Sequence, residues 1–275
     1  MSTVPQPHDS EDVSAAAPVL YASAYFSVVV VDHHPALLDA TYSLRYQVYC
    51  LERQFLPREE HPDERERDEY DPHSAHLAVI NTSGEIVATA RLIEVTDRGL
   101  PLLDHCRLFA DTDRAVHFGE RVVEVSRLCV SRRYNRRAGD AHYALAGARR
   151  DVSGPERRAN ARGGEIIMHV TRGLYVASKQ AGYTHWLAAT EQSLQRLISA
   201  YSLPFVPIGP ETDYYGKVTP YSMSIAEFDT IIRSGTVPLV SDFIGLHPEG
   251  APVDVSPLEG DIAAGRQLDE RPADS

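Results

Sequence analysis

The sequence predicts an α/β domain with a mixed central sheet and helices on both faces, and three observations lead there. A β-branched run at 25–31 passes into a segment with helical periodicity. Three further strand-like runs, at 76–81, 85–94 and 121–130, follow with alternating apolar residues, and Thr82-Ser83-Gly84 forms a hairpin turn between the first two. A helix-like stretch at 164–180 and a strand at 183–189 then make a crossover, which places at least one strand pair parallel inside an otherwise antiparallel sheet.

The first helix starts at Pro35, whose fixed φ suits an opening turn. Leu37, Leu44, Val48, Leu51 and Phe55 then form one apolar stripe, with Arg45 and Tyr49 four apart at its margin. The segment 59–71 is densely charged and reads as loop. Val87, Thr89, Arg91 and Ile93 share one face by the two-residue period, so Arg91 among apolar neighbours needs an anionic partner. Later elements are a helix at 190–200, strands at 205–208 and 217–223, and a last helix capped by Ser224 and Glu227 that stops near Gly235. The domain is assigned to residues 21–245, between a disordered acidic tail at 1–20 and a flexible tail at 246–275 rich in Pro, Gly and Asp.

The chain has 275 residues, 43% of them hydrophobic, enough to bury a full core without disulfides or metal. Cys50, Cys106 and Cys129 are odd in number and contain no C-x-x-C pair, which fits a reducing compartment. No signal peptide and no transmembrane segment is read, so a cytoplasmic location is expected. A net charge of -12 argues against nucleic acid as a partner. Against that background, residues 131–163 hold nine arginines and three acidic residues. Such a basic insertion is either a solvated loop or a docking surface for something anionic.

The run Arg121 to Val130, with Glu124, Ser126 and Arg127, is the most informative cluster. Residues 124 and 127 differ by three and point to opposite faces of a regular strand. They converge on one site only if a β-bulge lies between Val125 and Leu128. In a regular strand, Arg127 would fix the acidic loop from the other face. Glu124, Arg127, Arg91 and Asp71 are therefore either a catalytic set or a buried ion-pair network that organises the loop. A third possibility, Asp68, Asp71 and Glu124 as metal ligands, lacks a histidine to complete it, and no metal is expected.

The order of four motifs carries a family resemblance. Arg45-Tyr46-Gln47-Val48-Tyr49, the Asp68 to Asp71 loop, Thr89-Ala90-Arg91-Leu92 and Glu124-Val125-Ser126-Arg127 together resemble GNAT acyltransferases. Within these, the motifs look like those of autoinducer (acyl-homoserine lactone) synthases, long-chain N-acyl amino acid synthases and exosortase-associated acyltransferases of bacterial PEP-CTERM systems. The resemblance spans about residues 25 to 225 and implies a mixed sheet of six to seven strands. It also implies an N-acyltransferase with Glu124, Arg127, Asp71 and Arg91 as catalytic residues, Glu124 first and Asp71 second as the base. Arg45, Tyr49, Phe55, Asp68 and Ser126 would then bind substrate.

Two departures bear on the donor and acceptor. Phe55 stands where autoinducer synthases usually carry tryptophan. Arg133 to Ala138 reads R-Y-N-R-R-A, so the glycine loop that cradles the pyrophosphate of coenzyme A is missing. The expected donor is then acyl-phosphopantetheine on an acyl carrier protein, with acyl-CoA kept open as the alternative and no permanently bound cofactor. Leu128, Cys129 and Val130 would supply a backbone donor to the carbonyl, Arg132, Arg133, Arg136 and Arg137 would meet the carrier, and Gly164 at a helix start would hold the phosphate. The acceptor is a small amine or amino acid and the acyl group long-chain. Acyl-homoserine lactone synthesis from S-adenosylmethionine, and a non-catalytic carrier-binding regulator, stay open beside this. Tyr201 is a weak candidate to protonate the leaving thiol.

Overall fold

The computed structural model describes residues 17–97, 99–112, 121–132 and 155–235. In chain order the strands are β1 (Val19–Ala22), β2 (Phe26–Val30), β3 (Ser74–Asn81), β4 (Ile86–Glu94), β5 (Val122–Val130), β6 (His185–Thr190), β7 (Val206–Pro207), β8 (Thr212–Asp213) and β9 (Lys217–Ser224). The helices are α1 (Pro35–Tyr46), α2 (Pro101–His105), α3 (Pro155–Ala181), α4 (Gln192–Ala200) and α5 (Ile225–Ser234). The sheet runs β1-β2-β3-β4-β5-β6-β9-β7, with β8 also on β9. Only β5–β6 is parallel among these pairs, because α3 crosses over between them.

The mixed sheet is as expected, but it has nine strands among the described residues, against six to seven from the resemblance. The additional members are short edge pieces. β1 begins inside the segment assigned to the N-terminal tail, and Ala17, Val19 and Leu20 are buried. That stretch is therefore core and not tail, because its Val-Leu-Tyr-Ala run finds β2 as a partner. The rest of both tails lies outside the described residues.

Two apolar layers sandwich the sheet. On one face Val28, Leu77, Val79, Val123 and Trp186 pack with Ile166, Val170 and Leu174 of α3 and with residues of α4 and α5. Gly173 lets α3 approach closely, since a Cβ there would meet Val28 Cγ1 at 2.4 Å. On the other face Leu37 of α1 meets Val29, Val31, Ala78 and Ile80, while Ile93, Val122 and Leu187 meet Leu100, Leu102 and Cys106 around α2. At the C-terminal end, the Ser224 hydroxyl caps α5 by accepting the Glu227 N–H, and Gly235 ends it at φ 63°.

The stripe expected for the first helix holds only as far as Tyr46. Residues Gln47–Glu52 form a π-helical turn, which breaks the 3.6-residue period. Leu51 is consequently exposed, while Cys50 is buried. Val87 also leaves the face expected for it, because the β3–β4 register shifts there (Val79 pairs with Ala88 and Ile80 with Ile86). The long helix begins at Pro155, so Gly164 sits inside it and is not the phosphate-binding helix start that the sequence suggested.

Candidate active site

The site grows from one irregularity in β5. Along β4–β5, Thr89 faces Cys129 but Arg91 faces Ser126, so β5 holds one residue more than β4 over this stretch. The extra residue is accommodated at Arg127, whose φ of +50° is left-handed. This is the bulge that the spacing of Glu124 and Arg127 demands. It falls beside a second break. β5 pairs with β6 only from Val122 to Glu124, opposite His185 to Leu187. Beyond that point the two parallel strands part, and β6 continues on β9 as far as Thr190.

A cleft of about 160 Å³ fills the gap, and it joins the two faces of the sheet. On the α3 face its wall is apolar, with Ile167, Leu174, Trp186, Ile198 and Phe205. On the α1 side it is polar, with Tyr49, Arg91, Glu124, Ser126, Arg127 and Tyr214.

Glu124 is 3% exposed. Its Oε2 accepts the Leu102 N–H at 2.8 Å, a donor left over in the first turn of α2. Oε1 makes no hydrogen bond among the described residues. Burial pushes the carboxyl up to about 7, and the Leu102 bond with the charges of Arg91 and Arg127 opposes that only in part. A carboxylate poised near neutrality in a cleft suits a general base.

Arg127 and Glu124 share the cleft without pairing. Arg127 instead grips Glu66 at 3.0 Å and Asp68 at 2.9 Å. Arg45 binds Glu66 at 2.5 Å and Asp71 at 2.7 Å. Arg91 bonds to Asp68 and Asp71 and donates through Nε to the Ser126 hydroxyl at 2.9 Å. His76 bridges Asp71 and Asp32. Three arginines and four carboxylates are thus locked together, which is the loop-organising network of the alternative reading.

Asp71 is corrected from second base to structural anchor. Its Oδ1 is bonded to Arg45, Arg91 and His76, and its Oδ2 accepts from Arg45 and the Asp68 N–H. Burial opposes its charge, but the His76 and Arg45 bonds hold its carboxyl far below the usual range. Neither Asp71 nor Asp68 has an oxygen to spare for a metal, and Arg91, fully engaged, is likewise a brace. Among the described residues no cluster of three or more metal-ligating side chains occurs.

The expected donor-binding backbone is narrowed. Ser131 N–H bonds to Val87 carbonyl at 2.8 Å. By the alternation of an antiparallel ladder the Cys129 N–H also faces β4. The Leu128 carbonyl accepts the Tyr49 hydroxyl at 3.2 Å, and the Cys129 thiol is buried and pushed up to about 12. Phe55 and Tyr49 stand together in the cleft wall with ring centroids 6.1 Å apart. Arg132, exposed just beyond β5, is described, whereas Arg133, Arg136 and Arg137, with most of the basic insertion, lie outside the described residues. Tyr201 is buried in the core and does not line the cleft, so it loses its candidate role.

Five participants escaped the sequence. Glu66 was one of several acids in a charged segment, and nothing local marks it as the one buried between Arg45 and Arg127. His76 and the Leu102 N–H reach their partners only through the fold. Arg53 and Glu191, paired at 2.5 Å across the cleft mouth, are 138 positions apart in the chain.

Comparison with known proteins agrees with this geometry. Residues 44–144 match the family described as Acetyltransferase (GNAT) domain. The structure is similar to BjaI, a CoA-dependent acyl-homoserine lactone synthase solved with SAM and isopentyl-CoA, at 18% identity, covering 84% of this chain and 94% of that one with a TM-score of 0.52. It is also similar to TofI, solved in a ternary complex with an inhibitor and MTA, at 19% identity, covering 73% and 91% with a TM-score of 0.50. FeeM, an N-acyl amino acid synthase from uncultured soil microbes, is 12% identical over 77% of this chain and 97% of its own, and its TM-score of 0.47 adds nothing to the assignment. No curated protein matches the sequence. The splayed β5–β6 pair, the bulge, the match over residues 44–144 and the similar structures together show that the chain has the GNAT fold.

Proposed function

We propose that the protein is an N-acyltransferase that moves a fatty acyl group from a phosphopantetheine thioester on an acyl carrier protein to the amino group of an amino acid or similar small amine. The observation that supports it is the position of Glu124. Its raised carboxyl stands on the polar side of a gap whose other side is an apolar pocket. In this reading the acyl chain lies against the α3 face and the thioester carbonyl lies in the gap between β5 and β6.

The amine enters from the α1 side. Glu124 takes a proton from its ammonium form, directly or through water, and the neutral nitrogen attacks the carbonyl carbon. A C–N bond forms, the C–S bond breaks, and the second proton shed by the nitrogen is taken up by the departing thiolate, which leaves as the thiol. Burial and the nearby charge of Glu124 hold the Tyr214 hydroxyl above its ordinary range, so it stays protonated as a hydrogen-bond donor. The ion-pair network holds the loop that walls this side. BjaI, named as a CoA-dependent acyl-homoserine lactone synthase and solved with SAM and isopentyl-CoA, supports a thioester donor and a small amine acceptor on this fold.

The test is to incubate the full chain with acyl carrier protein thioesters and a pool of amino acids and S-adenosylmethionine, then identify products by mass spectrometry. An N-acyl amino acid supports the proposal. An acyl lactone would transfer it to the autoinducer synthases, and carrier binding without any product would make the protein a regulator. Binding of the carrier through the arginine-rich insertion should weaken steeply between low and physiological salt. Salt-independent binding would remove the carrier from the proposal.

A further inference from the structure

The cleft limits what it can hold. Its volume is about 160 Å³, including its polar side. An apolar cavity of about 150 Å³ accepts one benzene ring, a six-carbon body. Trp186 stands at the floor of the splay, where β5 and β6 are still paired through Val123 and Trp186, and it is the largest side chain of the lining. It is 1% exposed and its Nε1 donates to the Ser178 hydroxyl at 2.8 Å, both groups being buried. Swinging the indole aside would leave a buried donor and acceptor unpaired. The Phe205 ring stands against it at 6.3 Å between centroids, so the floor is backed on a second side.

Resting on the acyl-transfer reading above, we propose that the acyl group this protein accepts is short to medium, about six carbons long by the volume comparison, and that Trp186 backed by Phe205 is the stop that sets this limit. Methylene groups up to the stop leave water for an apolar wall. Those beyond it meet an indole held in place by its hydrogen bond to Ser178.

The experiment uses the full chain and non-transferable thioether analogues of acyl-pantetheine with four, six, eight, twelve and sixteen carbons, with affinity measured by calorimetry. Affinity should rise about four-fold per added methylene, the gain expected for burying one, up to about six carbons, and then level off or fall. A rise continuing through twelve and sixteen carbons overturns the length limit while leaving acyl transfer intact. Absence of binding at every length overturns the acyl-transfer reading and the limit with it. Trp186→Ala should shift the plateau to longer chains. Should that variant not fold, Phe205→Ala, at a half-buried position on the same wall, should shift it too, and an unchanged plateau in folded Phe205→Ala overturns the assignment of the stop.

Discussion

Arg127 donates to both carboxylate oxygens of Glu66, at 3.0 and 3.1 Å, and makes no hydrogen bond to Glu124. The bulge that brings Arg127 into the cleft thus serves to clamp the charged loop against β5. Arg127 stands at φ +50° in a buried network, so strain and ion pairing are balanced at one residue.

Breaking this clamp should lower stability and activity together. Arg127→Ala leaves Glu66 buried without its second arginine, and removal of one partner from a buried pair costs about 3–5 kcal/mol. Arg127→Lys should recover little, because a point charge cannot reproduce the fork that reaches Glu66 and Asp68 at once. Urea unfolding of both variants checks this. Near-wild-type stability in Arg127→Ala would show that the network contributes little.

Stability should fall at both ends of the pH scale. Burial is outweighed by arginine partners at Glu66 and Asp68 and by His76 and arginine bonds at Asp71, so all three carboxyls are held below their ordinary values of 4.5, 3.8 and 3.8. Their contribution is full above those values and is lost as pH falls through the lowered ones. His76 runs the other way. Bonds to Asp32 and Asp71 outweigh its burial and raise it above 6.5, so its contribution is full below 6.5 and is lost as pH rises through the raised value. Unfolding free energy measured against pH should show both limbs, and His76→Gln should flatten the His76 part of the alkaline one.

Tyr49→Phe should impair turnover more than folding. The lost hydroxyl bonds the Leu128 carbonyl inside the bulge, and a single neutral hydrogen bond contributes about 0.5–1.5 kcal/mol. If that energy holds the bulged backbone beside the cleft in position, kcat should drop up to about ten-fold with KM and the melting temperature little changed. A change in KM alone would place Tyr49 in ground-state binding instead.

Much of this site is legible in the sequence because it is written in local patterns. The odd spacing of Glu124 and Arg127 requires a bulge in any strand that brings them together, and Arg91 on an apolar face requires an anion. Asp68 and Asp71 meet that need. What local pattern does not carry is the choice among similar groups. Five acids crowd residues 59–66, and only the closed fold buries Glu66. The π-helical turn at Gln47–Glu52 replaces a simple stripe, since a helical period cannot announce its own interruption. β1 and α2 are too short for periodicity, yet α2 supplies the Leu102 N–H to Glu124. Chain-length capacity depends on how far β5 and β6 part, which is a property of pairing and not of composition.

Glu124 separates catalysis from structure in a way the network residues cannot. Burial raises its carboxyl from 4.5 to about 7, so its contribution to stability is full below 4.5 and is lost as pH rises through 7. At pH 8 the ionised group costs the fold on the order of 3 kcal/mol at 1.36 kcal/mol per pKa unit. Glu124→Gln removes that cost and keeps an oxygen for the Leu102 N–H, so the variant should melt higher than wild type at pH 8. The decisive measurement is kcat/KM for amine acylation against pH in wild type and in folded Glu124→Gln. Wild type should rise through one ionisation near 7 to a plateau, and the variant should lose at least about 100-fold on that plateau while being the more stable protein; a variant that keeps the wild-type rate and pH profile would show that Glu124 is not the base.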